Sequence, residues 1–227
     1  MPHRLYKVLL IFGIIAALAA ILVFWLAFQT ADNLEVDFLD VGQGDSILIK
    51  TPYGQNILID GGPDNSVIEK LGEELPWWDR QIDLMVLTHP HSDHLTGLID
   101  VIKRYKVKKI LYTGVVHTSS DYLAWLKLVK NKKIPLIIIS RPQIIKLGRD
   151  SELNIIYPRK NLAGQTMDNL NNSSIVAKLI YGKTKFLFTG DIESEAEKEL
   201  ADAAVNLQAD VLKVAHHGSN NSSGKNF

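Results

Sequence analysis

From Val8 to Phe28 the chain runs for 21 residues without a charge, VLLIFGIIAALAAILVFWLAF. A helix rising about 1.5 Å per residue would cover about 30 Å with such a run, the thickness of a bilayer's hydrocarbon core. No face of it is polar, so as a helix of a soluble core it would need burial on every side, and it reads instead as a membrane span. Trp25 sits near one end, where an amphipathic ring suits the interface. Arg4 and Lys7 precede the run, and Asp32 and Glu35 follow it. The positive-inside rule then puts the amino terminus in the cytoplasm and everything after Phe28 outside. A cleaved signal peptide competes with this reading. The run exceeds the roughly 7–15 apolar residues usual in such peptides, and no clean small-x-small site follows it. The sequence therefore predicts an uncleaved anchor in residues 1–31 and, in either case, an exported domain over residues 34–227.

Arg4 and Lys7 are the only charges before Asp32, so of the chain's 25 basic and 25 acidic residues, 23 and 25 fall after the anchor. That near balance argues against a generic nucleic-acid binder held by a large positive field. The chain has no cysteine, which excludes a disulfide scaffold, a thiolate zinc finger, an iron–sulfur protein and a cysteine nucleophile together.

The exported part reads as short strands broken by turns, after a polar linker at 29–33. Strands are predicted at 34–41, 45–50, 56–60, 83–88, 135–140, 152–158, 173–182, 184–190 and 210–215. Helical periodicity appears at 93–105, 121–131 and 193–205. Helices recurring between strands imply an α/β domain, with sheets covered by helices.

Five of the seven histidines fall in two clusters, each directly after a strand. THPHSDHLTG (88–97) puts His89, His91, Asp93 and His94 within six residues, with Ser92 or Asp93 placed to cap a following helix. Imidazole nitrogen and carboxylate oxygen together suit a borderline divalent metal such as Zn or Mn. AHHGS (215–219) follows the second strand. Two other strands end in Gly190–Asp191 and in Asp60–Gly61–Gly62. Singly each of these is a common turn; four such strand ends together mark a place where ligands gather.

HPHSDH with TGD and HHGS resembles the metallo-β-lactamase fold, whose signature is H-x-H-x-D-H. FLDVGQGDS (38–46) and DGG (60–62) narrow the resemblance to the exported domain of ComEC-type DNA-internalisation proteins and their stand-alone relatives. It extends from about residue 34 to 219. It implies an αββα sandwich with two divalent metal ions, Zn or Mn, at one edge. His89 and His91 would bind the first metal, Asp93 and His94 the second, and Asp191 would bridge them. His216 is preferred as the last ligand because it comes first after its strand, with His217 as a proton donor or supporting group. Asp93, Asp191 and His217 are the implied catalytic residues. Asp40, Asp45 and Asp60 are expected to orient loops and ligands.

Two departures from the family pattern stand out. The region DNLNNSSIV (168–176), where many members supply a third histidine to the first metal, holds none, and Asn171 or Asn172 is expected in that place. The chain also stops at NNSSGKNF, where the family normally continues with a further strand and helix, so the sequence reads as one with a truncated carboxyl end. A basic run, KRYKVKK (103–109), lies near Tyr105 and Tyr112; it reads as a solvated helix edge, or as a holder of backbone phosphate against the site. The implied activity is a membrane-anchored, metal-dependent hydrolase. Its expected substrate is a phosphodiester, DNA or a cell-surface ester, with a membrane DNA channel as a partner. The alternatives are a β-lactam or other ester hydrolase, and an inactive binding module linked to DNA uptake.

Overall fold

The computed structural model describes residues 2–27 and 33–225. Phe28 and all of the expected linker except Asn33 lie outside the described residues. The amino-terminal unit is one helix, α1 (Pro2–Ala27). Within it, Arg4–Phe24 is long and apolar enough to cross a membrane, and none of that stretch is buried against protein.

The second unit begins at Asn33. In chain order it holds β1 (Glu35–Phe38), β2 (Ile47–Lys50), β3 (Asn56–Ile59), α2 (Ser66–Glu74), β4 (Gln81–Ile82), β5 (Leu84–Val86), α3 (Ser92–Arg104), β6 (Lys106–Val107) and β7 (Ile110–Tyr112). Then follow α4 (Ser120–Lys132), β8 (Leu136–Ile138), β9 (Gln143–Lys146), β10 (Ser151–Tyr157), β11 (Val176–Tyr181), β12 (Thr184–Phe188), α5 (Ser194–Asp202) and β13 (Val211–Lys213). Short 3₁₀ turns cover Leu170–Ser173 and Ala215–Gly218.

Two sheets face each other. The first has the order β1-β2-β3-β5-β7-β8 and the second β13-β12-β11-β10-β9. Apolar residues of both inner faces, among them Ile47, Ile57, Val86, Leu153, Leu179 and Phe188, form one core between them. A second core, around Leu71, Leu98, Val101 and Trp125, lies between the first sheet and helices α2, α3 and α4. A third, around Leu187, Ile192 and Leu200, lies between the second sheet and α5. The layers are therefore helix, sheet, sheet, helix. The central strands β2 and β3 are buried on both faces, which is why they read as continuous apolar runs. β10 alternates buried and half-buried residues along its length, as a strand covered on one face should.

The sequence reading missed several elements. β4 and β6 are two residues each, and β7 and β9 are three and four, too short for a period to show. α2 is only nine residues long and carries Gly72, so its helical period is too short to read from sequence. The cap of α3 also differs: it falls on His91, in extended backbone and without a side-chain capping bond, so the helix starts at Ser92.

Candidate metal centre

The register of the first sheet sets its two ends apart. Glu35 pairs with Lys50, Lys50 with Asn56, and Ile57 with Leu84 at one end. Asp45, Asp60 and the loop from Thr88 to His94 all leave strands β2, β3 and β5 at the other. In the second sheet Asp191 and His217 follow β12 and β13, which run parallel. Five chain segments thus deliver polar side chains to one edge of the sandwich.

Two close backbone approaches hold these loops in register. α3 lies against the loop after β3, where Gly61 N donates to His94 O at 2.8 Å and Gly97 N to Gly62 O at 3.1 Å. A Cβ on Gly97 would stand 1.9 Å from Gly61 O, so only glycine permits that contact. Gly44, at φ +127°, brings the loop before β2 equally close to Asp93 O.

His94 lies at the centre, fully buried. Its Nδ1 is 2.8 Å from Asp60 Oδ2 and its Nε2 is 3.1 Å from Asp191 Oδ2. Asp60 also accepts from Thr88 N at 2.8 Å and from Thr88 Oγ1 at 2.6 Å. A carboxylate on one ring nitrogen fixes the tautomer and aims the other nitrogen, as behind a metal-binding histidine. His217 Nε2 is 3.2 Å from Asp191 Oδ2 and 3.5 Å from Asp93 Oδ2. Donor atoms of Asp45, His94, Asp191 and His217 all lie within 4.8 Å of one another. Beside them His89 Nε2 and His91 Nδ1 are 3.1 Å apart. Two donors on one tetrahedral ion stand about 3.3 Å apart, so these spacings fit common ions.

The charges fit a cation as well. Burial pushes the His94 imidazole down, but Asp60 and Asp191 outweigh it and hold it up at about 10. Hydrogen bonds to Asp191 and Asp93 raise His217 to about 9 despite its partial burial. Burial would push Asp191 up, yet His217, His94 and Lys213 hold its carboxyl well below the usual range. His89 goes the other way: burial, then the neighbouring His94, push it well down and keep it neutral, the form in which imidazole ligates. Carboxylates converging on this edge call for positive charge, which a divalent cation supplies.

Of the two histidines after β13, the structure brings His217, and not His216, to the cluster. After β13 both take left-handed backbone, at φ 47° and 52°, a costly conformation outside glycine. The tight turn carries His217 into the cluster and sends His216 away, where its Nδ1 lies 3.1 Å from Glu193 Oε1. Asn171 and Asn172 face the same segment. Asn171 Nδ2 donates to Glu193 Oε1 at 2.8 Å and Asn172 Nδ2 to Glu195 Oε2 at 3.1 Å, while Asn171 Oδ1 is buried without a hydrogen-bond partner. The basic residues of the run at 103–109 are exposed, as on a solvated helix edge, and lie away from the cluster. α3 starts at the cluster and is 13 residues long, so its far end is about 20 Å away.

Two residues of the centre escaped the sequence reading. Ser174 Oγ bridges the halves, 3.2 Å from His89 Nδ1 and accepting from Asp191 N at 3.1 Å. Lys213 Nζ donates to Gly190 O at 2.8 Å, lies 3.2 Å from Asp191 Oδ1 and pairs with Asp45. A lysine inside the apolar strand DVLKVA was the available signal.

The profile of the Metallo-beta-lactamase superfamily matches residues 39–227. ComE operon protein 3 of Bacillus subtilis (strain 168) is 30% identical over 211 residues, covering 85% of this chain and 26% of that protein. Competence protein ComA of Neisseria gonorrhoeae is 28% identical over 198 residues, covering 83% of this chain and 24% of that protein. The chain thus spans about a quarter of the length of these relatives. Among solved structures, a Cronobacter sakazakii metallo-beta-lactamase variant superposes with a TM-score of 0.53 at 16% identity, covering 82% of this chain and 77% of that one.

Proposed function

The chain belongs to the metallo-beta-lactamase superfamily, and from that premise we propose that it is a membrane-anchored, exported phosphodiesterase that uses two divalent metal ions, Zn or Mn. In this reading His89 and His91 hold the first ion, and Asp93, His94 and His217 the second. Asp191 is shared between them. The observation that carries the reading is Asp191 itself: it is buried at the joint of the two sheets, with His94 and His217 on one oxygen and its amide on Ser174, whose hydroxyl reaches His89. When bound, such ions lower the pKa of a shared water to near neutrality and offset the charge that develops on the attacked group.

The chain's own residues do the rest. Asp60 orients His94, and Thr88 orients Asp60. Lys213 keeps Asp191 and Asp45 in place. Asp93, half-buried at the rim beside His217, is the group through which a proton leaves the site. The relatives named for competence support a nucleic-acid phosphodiester as the substrate and a link to DNA uptake. The absence of cysteine fits a water nucleophile. The apolar α1 supports the anchor and the exported location.

Metal analysis of the purified chain, run beside hydrolysis of DNA and of a simple phosphodiester, tests the reading. Two metal equivalents and metal-dependent cleavage are expected. Asp191→Asn keeps the side chain's size but removes its charge; it should lose most activity and one metal equivalent while circular dichroism is unchanged. Metal binding without hydrolysis of any phosphodiester would overturn the enzymatic reading in favour of a binding module.

A further inference from the structure

We infer that the end of the domain opposite the metal centre is a membrane-docking face, built to rest on anionic lipid headgroups. The inference rests on the anchor proposed above. Three features that nothing in the centre requires meet at this end.

The first is where the chain arrives. β1 starts at Glu35, which pairs with Lys50 and so lies at the far end of the first sheet. The six residues between Phe28 and Glu35 span at most about 25 Å even when fully extended. Glu35, at this end, is therefore the point from which the domain is tethered.

The second is charge. Residues 101–135 hold nine basic residues and one acid, in a chain whose total is balanced. α3 and α4 both run away from the metal centre and finish in Lys103–Arg104 and Lys130–Lys132. Lys106, Lys109, Lys132 and Lys133 are exposed and have no carboxylate within ion-pair distance among the described residues. Of the acids near this end, Glu35, Asp37 and Glu74 lie with Lys50, Asp83 with Lys108, and Asp100 with Lys103 and Arg104, while Asp79, beside Trp78, accepts hydrogen bonds from Asn56 and Gln81.

The third is a pair of tryptophans that the fold leaves in the open. Trp77 is 78% exposed and Trp78 49% exposed, with ring centroids 5.5 Å apart. They sit between α2 and β4. Arg80 fixes their loop, with Nε on Trp77 O at 3.3 Å and its guanidinium 5.3 Å from the centre of the buried Tyr105 ring. β4 pairs Gln81 with Lys106, so the tryptophans and the lysines share this end. Exposed Trp beside Lys and Arg is the composition of a bilayer interface, where the ring enters the headgroup layer and the ammonium meets phosphate. Exposed aromatic rings beside basic residues would also stack single-stranded bases, but the entry of the chain at this same end, from the proposed anchor, favours lipid.

The test uses the full chain, whose lack of cysteine allows single labels. Asn131→Cys and Ser120→Cys mark opposite ends of α4, Asn131 beside the lysines and Ser120 toward the metal centre. Each is spin-labelled and placed in nanodiscs of phosphatidylcholine, with or without phosphatidylglycerol, containing headgroup-chelated nickel. With phosphatidylglycerol, relaxation at Asn131 should exceed that at Ser120 severalfold. Trp77→Ser with Trp78→Ser should erase the difference. So should Lys106→Gln with Lys132→Gln, because each lysine near an anionic surface is worth about fivefold in population. Equal relaxation at both positions, or a difference that neither variant pair alters, would overturn the proposal. A signal at Asn131 that responds to added DNA and not to phosphatidylglycerol would give the face to nucleic acid instead. Retention of the chain in the discs through a high-salt wash reports on the anchor separately. If the chain is not retained, the anchor fails, and docking is then decided by whether the chain co-sediments with phosphatidylglycerol vesicles.

Discussion

His217 Nε2 lies 3.2 Å from Asp191 Oδ2, while the neighbouring His216 is turned to Glu193. One backbone turn therefore gives two adjacent histidines different surroundings. His217→Ala removes a donor from the buried cluster and is expected to cost one metal equivalent and nearly all hydrolysis. His216→Ala leaves that cluster intact and should keep both metals. Metal stoichiometry of the two purified variants decides; loss of metal only from the His216 variant would reverse the assignment.

Asp60 touches no substrate, yet it fixes His94. Its carboxylate takes bonds from Thr88 and His94 with no exposure to water. Asp60→Asn sets an amide N–H against groups that already donate. It should lower metal affinity by roughly 10–100-fold, as loss of a carboxylate behind a metal-binding histidine commonly does. Competition with a chelator measures it, and an affinity equal to wild type would show that His94 is held by other means.

Two helical glycines should respond in opposite directions. Gly72 in α2 has nothing within 4 Å of the place a methyl group would take, so Gly72→Ala should stabilise by about 0.5–1 kcal/mol. Gly97 in α3 has Gly61 O and Asp64 O in the way, at 1.9 and 2.6 Å. Gly97→Ala must push α3 off the loop that carries Asp60, at a cost of about 3 kcal/mol or more. Urea unfolding of both variants checks the pair. A Gly97 variant as stable as wild type would mean that the helix and loop part freely.

Burial holds the phenols of Tyr122 and Tyr157 up at about 12. Their hydroxyls donate to Val115 O at 2.8 Å and to Asn172 O at 3.0 Å. In the unfolded chain both titrate near 10. Their contribution is thus complete below about pH 10 and is lost as pH rises from 10 toward 12, on the order of 2 kcal/mol each. Unfolding midpoints across that window should fall more steeply for wild type than for Tyr122→Phe with Tyr157→Phe. Equal slopes would place the alkaline loss elsewhere.

The sequence by itself determined the apolar helix, because charge-free length is a one-dimensional property. It also determined the α/β class and most of the strands, since apolar runs and their 3.6-residue alternatives are read locally, while the order of the layers came from the family resemblance. His89, His91, Asp93 and His94 were legible because they lie within six residues of one another. What only the tertiary structure decided is contact between distant segments. Asp60 reaches His94 across 34 positions, and Ser174 links His89 to Asp191, through the way β3, β5 and β12 end at one edge. The order of His216 and His217 hangs on two left-handed residues, a backbone choice that no side-chain pattern announces. The basic run at 103–109 was visible as charge, but its position at the far end of α3 follows from helix direction and sheet register. Composition fixes which groups a chain carries; the path of the backbone fixes which of them meet.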